Sequence, residues 1–390
     1  MLSTSLCLFL SGASLAEPIS FSNAWQRLQE NNDGLEASLA NRDSAQYMQE
    51  AARSLYMPKI DINGAYTRLD EQISLSPNQL FDSMPAGDQL KQYVGQLGAS
   101  LGIPPEQLNP ALTSSLTEPD VVSASLNAVW PIYSGGRISA AQDIALGQFN
   151  EADYQLRIKQ QALFEQLAKT YFGVVLAKQV LEAKVDAEKG LFKHLDFAIK
   201  LEQQGQIARV ERLKAEASYD RASVATKKSR RDLEIAQLAL NRLLKSINNT
   251  EPSSPLFTNP TLPELQSTTD ATLENHPGLG VLESKRLQAE GLLKANKGNY
   301  LPEVAAFGNY RLYKEDTLAA ELAPDWVVGI GMSIPITSRS GRSGKAKAVQ
   351  STLTKIDFLK AQATQDLSLL VEKTWREAET ALEEYTGLAS

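Results

Sequence analysis

The chain has 390 residues and a formal net charge of −7, with acidic and basic residues interspersed, so no basic patch points to nucleic acid. Its only histidines are His194 and His276 and its only cysteine is Cys7, which nearly excludes a metal centre, a disulfide or Cys/His catalysis. The expectation is therefore no cofactor and no metal.

From the N-terminus, Leu6 to Leu15 is a short apolar run ending in Ser14-Leu15-Ala16 before Glu17-Pro18. Its length and small residues fit a signal peptide over residues 1–16, although no Lys or Arg precedes it. Thr4-Ser5-Leu6 ahead of Cys7 speaks against lipid attachment there. No later segment reaches the ~20 apolar residues of a transmembrane helix. Within 17–57, residues 21–55 read as one helix, capped by Ser22, with Ala24, Leu28, Leu35, Leu39 and Ala45 on one face. Tyr56-Met57-Pro58 stops it.

The period then changes to two. Ile60, Ile62 and Tyr66 share one face of a strand, with Asp61, Asn63 and Thr67 on the other. Residues 58–133 read as a strand pair around a long loop, 70–120, which carries six prolines and short helical pieces around 88–101. The second strand places Val122, Ala124, Leu126, Ala128, Trp130 and Ile132 opposite Ser123, Ser125 and Asn127. Pro131-Ile132-Tyr133-Ser134-Gly135-Gly136-Arg137 closes it.

Residues 134–245 are proline-free and rich in helix formers, broken at Gln203-Gln204-Gly205-Gln206. They predict an antiparallel helical hairpin with arms of about 100 Å and a little under ~60 Å. Gly205 supplies a left-handed turn residue and Ile207 an apolar knob beside it; an ordinary helix–helix turn is the plainer reading. Residues 21–55 would make up the short arm's missing length by stacking on its end.

Residues 246–272 form a connector with Pro252, Pro255, Pro260 and Pro263, and the pattern then restarts. A constant offset of 244 aligns Gly34 with Gly278, Arg42 with Arg286, Tyr56 with Tyr300, Pro58 with Pro302 and Tyr66 with Tyr310. This predicts an internal duplication, with a second helix over 273–301 and a second strand pair over 302–337. There Trp326, Val328, Ile330, Met332 and Ile334 oppose Gly329, Gly331 and Ser333. Pro335 matches Pro131, and Gly341-Arg342 matches Gly136-Arg137 with one residue inserted. Residues 338–390 read as the start of a second hairpin, apparently truncated.

The four alternating strands allow a half-buried sheet in a soluble protein or membrane-spanning strands. Bilayer-compatible length, aromatic residues near the strand ends and an opposite face of Ser, Asn, Gly and Asp favour the membrane. Ile60, Ile62, Tyr66, Leu126, Trp130, Trp326, Val328 and Ile330 are then the lipid-facing positions. Strands in lipid must close into a barrel, and four cannot do so alone, so the chain must oligomerise. Arg137, Arg339, Arg342, Lys345 and Lys347 follow the strands. They read as a headgroup contact or cation filter, or as solvated charge at helix starts.

Together these features resemble the TolC-like outer membrane efflux channels. The motifs are the duplicated Tyr56-Met57-Pro58 and Tyr300-Leu301-Pro302, the segment from Trp130 to Arg137, Lys169-Thr170-Tyr171-Phe172-Gly173-Val174-Val175, and the turn Gly205-Gln206-Ile207-Ala208-Arg209-Val210-Glu211. The resemblance implies a membrane α+β fold: a homotrimer with four transmembrane strands per protomer, joined to helical hairpins that form a periplasmic tunnel. It implies an outer membrane location in a Gram-negative bacterium, and contact with outer membrane lipid. Pro131, Gly136, Arg137, Pro335, Gly341 and Arg342 would form the barrel–tunnel junction. Gly205, Ile207, Ala208 and Glu211 match the tip that docks on a periplasmic adaptor serving an inner-membrane RND or ABC transporter. The duct would be passive, with no catalytic residue. A periplasmic coiled-coil scaffold or adaptor-type protein is the alternative; it accounts for the helices but not for the strands.

Overall fold

A computed structural model describes residues 17–246, 249–314, 318–337 and 341–389. The signal-peptide segment and Arg339 lie outside the described residues. The chain begins with β1 (Glu17–Ile19), α1 (Phe21–Asn31), α2 (Asp33–Arg53) and β2 (Lys59–Arg68). Then come β3 (Ile73–Leu75), α3 (Pro77–Asp82), α4 (Gly87–Ser100), α5 (Pro105–Ala111) and β4 (Ser114–Thr117). Next come β5 (Asp120–Tyr133), α6 (Arg137–Gln203), α7 (Arg209–Leu243) and β6 (Thr250–Pro252). The chain continues through α8 (Leu265–Asn275), α9 (Pro277–Gly298), β7 (Glu303–Tyr313) and α10 (Leu318–Leu322). It closes with β8 (Trp326–Ser333) and α11 (Arg342–Ala389).

Four expectations need correction, the first being the cap: Ser20, not Ser22, caps the first helix, its hydroxyl accepting from the Asn23 amide at 3.2 Å. Residues 21–55 are not one helix. Asn32 leaves the helix at φ −85° and ψ 110°, and its Oδ1 accepts from the Leu35 amide at 2.9 Å. Its short polar side chain competes with the backbone ladder and starts α2 afresh. The second helix likewise begins at Leu265, inside the segment read as connector, and breaks at His276 before Pro277. There the proline ring disfavours helical backbone in the residue before it. Finally, loop 70–120 is folded: β3 and β4 pair antiparallel, and Ser76 and Gln79 exchange a capping box that opens α3.

The described chain divides into two units. The sheet unit holds Glu50–Ile144 and Ala289–Ser351. Its four-stranded sheet runs β2-β5-β7-β8, antiparallel throughout, with β2 and β8 as edges. Its helix ends follow the same order. Gln142 of α6 donates to the Ala52 carbonyl of α2 at 3.3 Å, Lys294 of α9 pairs with Asp143 of α6 at 2.9 Å, and Arg342 of α11 donates to the Asn299 carbonyl just past α9 at 2.8 Å.

The helical unit runs up to Gln49 and includes Ala145–Gln288 and the chain from Thr352. Arg42 of α2 reaches Asp153 of α6 at 3.4 Å, Lys285 of α9 reaches Glu151 of α6 at 2.7 Å, and Lys360 of α11 reaches Glu283 of α9 at 2.7 Å. Its core joins Ala24 and Leu28 of α1 to Leu163, Leu167 and Val174 of α6 and Leu240 of α7. The end of α7 meets the start of α2, where Lys245 pairs with Asp33 at 2.6 Å. The short arm is therefore extended by α2, while α1 turns its apolar face into that core.

Candidate functional site

Sheet register decides which side chains share a face, because directly opposed residues of antiparallel strands point the same way. One row runs Ile60, Ala128, Gly308, Val328, and the next runs Ile62, Leu126, Tyr310, Trp326. A third places Trp130 and Ala306 beside Ile330. Seven of the eight positions read as lipid-facing are exposed, led by Ile330 at 72%. Leu126 is half-buried, because it lies on an inner strand between Ile62 and Tyr310. Removing such surface from water is worth about 25 cal/mol per Å². A contiguous exposed apolar face of this kind marks a partner or a membrane.

The opposite face is wet. Asp61, Asn127 and Asn309 lie in one row. Asn309 Nδ2 donates to Asn127 Oδ1 at 2.7 Å, Asn127 Nδ2 to Ser125 Oγ at 3.2 Å, and Asn63 Nδ2 to Asp61 Oδ2 at 3.1 Å. Aromatic groups on the greasy face keep their polar ends occupied. Trp130 Nε1 donates to the Tyr56 carbonyl at 2.9 Å and the Tyr66 hydroxyl to Asp120 at 2.6 Å. Alternation in β5 ends at a register irregularity between Pro131 and Tyr133, so Ile132 does not extend the greasy row as its spacing suggests.

Where strands pass into helices, Gly135, Gly136 and Gly341 have φ of 63°, 78° and 64°, a region that glycine enters without a Cβ penalty. The sequence singles out Gly136, but Gly135 is the tighter site. A Cβ there would lie 2.6 Å from the Gly298 carbonyl oxygen. Arg342 is not the solvated charge at a helix start that one reading of the cluster expects, and Arg137 is half-buried. Arg137 donates to the Ser134 carbonyl at 3.1 Å and pairs with Glu303 at 2.6 Å. Arg342 is only 8% exposed, donates to the carbonyls of Asn299 and Pro335, and lies 5.0 Å from the Tyr300 ring centroid. A cation placed there satisfies backbone carbonyls past the C-terminus of α9. Lys345 and Lys347 are exposed.

At the hairpin turn, the Gln206 amide donates to the Leu201 carbonyl and the Gly205 amide to the Glu202 carbonyl, both at 2.9 Å, with Gly205 at φ 73°. This is a Schellman motif. Gly205, Ala208 and Glu211 are exposed, whereas Ile207 is half-buried and so protrudes less than a free knob. Two features escaped sequence reading. Arg212 bridges the turn, 2.7 Å from Glu202 and 2.5 Å from Glu216. Val210 and Leu213 supply exposed apolar surface beside it. The Arg212–Glu216 spacing was a legible helix pair; the bond to Glu202 exists only because of the turn.

The Lys169-to-Val175 motif has its own geometry. Tyr171 is fully buried. Its hydroxyl donates to the Ile19 carbonyl at 2.7 Å and accepts from the amides of Ser253 and Ser254 at 3.1 and 2.9 Å. It thereby clasps β1 and β6, which pair in parallel, against α6. The hydrogen bond between Lys178 and Glu251 at 2.5 Å adds to the same clasp and holds the Lys178 ammonium above its ordinary pKa.

A model described as outer membrane efflux protein matches residues 24–245, more than half of the chain. The chain belongs to the outer membrane efflux protein family. No curated protein sequence matches it. Among solved structures, a membrane protein from Pseudomonas aeruginosa superposes with a TM-score of 0.64 at 15% identity, over 96% of this chain and 78% of that one. The Campylobacter jejuni CmeC outer membrane channel gives 0.62 at 15% identity, over 88% and 67%. VceC, an outer membrane protein of Vibrio cholerae, gives 0.65 at 12% identity, over 89% and 75%. At these identities the likeness establishes a shared fold, that of the TolC-like channels. Family and fold together make this efflux protein an outer membrane channel rather than an enzyme. Among its described residues, no helix is long and apolar enough to cross a membrane.

Proposed function

We propose that this outer membrane efflux channel works as a homotrimer in a Gram-negative outer membrane. Each protomer contributes four transmembrane strands to a twelve-stranded barrel, and the helices line a periplasmic tunnel. The two halves arise by internal duplication, which the repeated helix breaks at Asn32 and His276, at the same offset, support. The observation that carries the reading is the two-faced sheet, apolar and exposed on one side, hydrogen-bonded and polar on the other, with β2 and β8 open as edges. In lipid such edges must be paired, and copies of the same sheet are the available partners.

The tip around Gly205, Ile207, Ala208 and Glu211, stiffened by Arg212, docks on a periplasmic adaptor. That adaptor connects the duct to an inner-membrane RND or ABC transporter, which supplies the energy. The cap of residues 70–120 covers the extracellular mouth. Membrane fractionation with gel migration before and after boiling tests the assembly: a heat-modifiable trimer in the outer membrane fraction is expected, and a soluble periplasmic monomer overturns it. Photocrosslinkers at Val210 and Ala208 should capture the adaptor, whereas one at Leu238 should not.

A further inference from the structure

The wet face of the sheet is not polar throughout. Next to the Asp61, Asn127, Asn309 row, on the side nearer the helix starts, the following row is Lys59, Val129, Phe307, Gly329. The row beyond it pairs Ala305 with Gly331. The Phe307 ring therefore shares a face with the asparagines and not with Ile60, Trp130 and Ile330. The ring lies across the two glycines of β8: a Cβ on Gly329 would meet Phe307 Cζ at 2.8 Å, and one on Gly331 would meet its Cε1 at 3.8 Å. Glycine at both positions leaves room for the ring to lie flat on the strand, with one side on backbone. The other side stays open, since Phe307 is 44% exposed and Val129 beside it 45%.

We propose that Phe307, flanked by Val129, is an aromatic contact on the inner wall of the pore that selects for transported molecules with aromatic or lipophilic cationic surface. This rests on the reading of the sheet as a barrel sector with its polar face inward. Three copies would place three such rings at one height, immediately next to the asparagine row. A polar solute gains nothing from the Phe307 ring, whereas an amphiphile loses water from its apolar part against it. The negative face of the ring also suits a lipophilic cation. Covering glycines in an edge strand is a structural service that any large apolar side chain could give. The solute contact requires the ring itself.

The test uses the full chain in planar bilayers, with block of the potassium chloride current by tetraphenylphosphonium, and hexaamminecobalt(III) as a polar comparison. In Phe307→Ala, block by tetraphenylphosphonium should weaken roughly two- to tenfold, the size of an aromatic contact. Block by hexaamminecobalt and the heat-modifiable migration should be unchanged. Phe307→Leu, which still covers the glycines, should lose block like the alanine variant, and Phe307→Trp should keep it. If Phe307→Ala fails to assemble, the Leu and Trp variants carry the comparison. Equal block by tetraphenylphosphonium in wild type, Phe307→Leu and Phe307→Trp overturns the inference. A wild-type chain that inserts no conducting pore instead overturns the barrel reading beneath it.

Discussion

The two units solve opposite solvent problems with the same chain. In the helical unit Tyr171, Leu167 and Leu240 are inside, and charged pairs such as Lys360–Glu283 sit outside. In the sheet unit Ile60, Trp130 and Ile330 share one exposed face, while the hydrogen-bonded amides of Asn127 and Asn309 share the other with Phe307. Burial follows helix period in the first. In the second, alternation is kept, and large apolar side chains such as Ile62 and Ile330 remain exposed. On the proposed barrel an exposed Ile330 would face lipid, whereas Leu167 is withdrawn from water into the helical core.

The largest effect should come where neither solvent matters. Gly135→Ala puts a Cβ 2.6 Å from the Gly298 carbonyl at φ 63°, so it should cost roughly 3 kcal/mol or more and deplete the heat-stable assembly. Next, Ile330→Arg on the greasy face should cost about 2–4 kcal/mol when folding into lipid vesicles is titrated with urea. Ser125→Arg, on the wet face, should cost under about 1 kcal/mol, and equal losses would abolish the contrast between faces.

In the helical unit, Tyr171→Phe removes the acceptor of the Ser253 and Ser254 amides and the donor to the Ile19 carbonyl, at a position where Tyr171 itself is fully buried. A loss of about 1–3 kcal/mol is expected. Limited proteolysis should then cut between Ser254 and Pro263 before it cuts α6. The smallest effect concerns Glu283, whose carboxyl is held below its ordinary pKa chiefly by the hydrogen bond from Lys360. A depressed carboxylate adds stability that is present above the ordinary glutamate range and fades as pH falls through the lowered value. The urea midpoint of helix unfolding should therefore fall as pH drops through that range, and Glu283→Gln should lessen the fall. The sheet unit should show no such response at Asn127 or Asn309, which do not titrate.

Much of this organisation was legible beforehand. Ile60 and Ile62 against Asp61 and Asn63 announce a two-faced strand, because side chains alternate with period two. Gly205 announces the hairpin turn, and the absence of proline through α6 and α7 announces their length. The break at Asn32 was legible only in part, since Asn is tolerated within helices as well as at their caps. Arg342 was misread because a basic residue at a helix start normally points to water. Its carbonyl partners at Asn299 and Pro335 come from chain that only folding brings near. Phe307 shares a face with Asn309 by alternation alone, but its seat over Gly329 and Gly331 was missed because it depends on register across the loop between β7 and β8.

The sequence by itself determined the element types, the two faces of each strand and the repeated order of helix, strand, strand and helix, because these depend on residues a few positions apart. Only the tertiary structure decided the strand order β2-β5-β7-β8, the clasp of Tyr171 on β1 and β6, and the burial of Arg342. Those depend on contacts between distant segments, where hydrogen-bond register and close backbone approach, rather than local preference, select one arrangement.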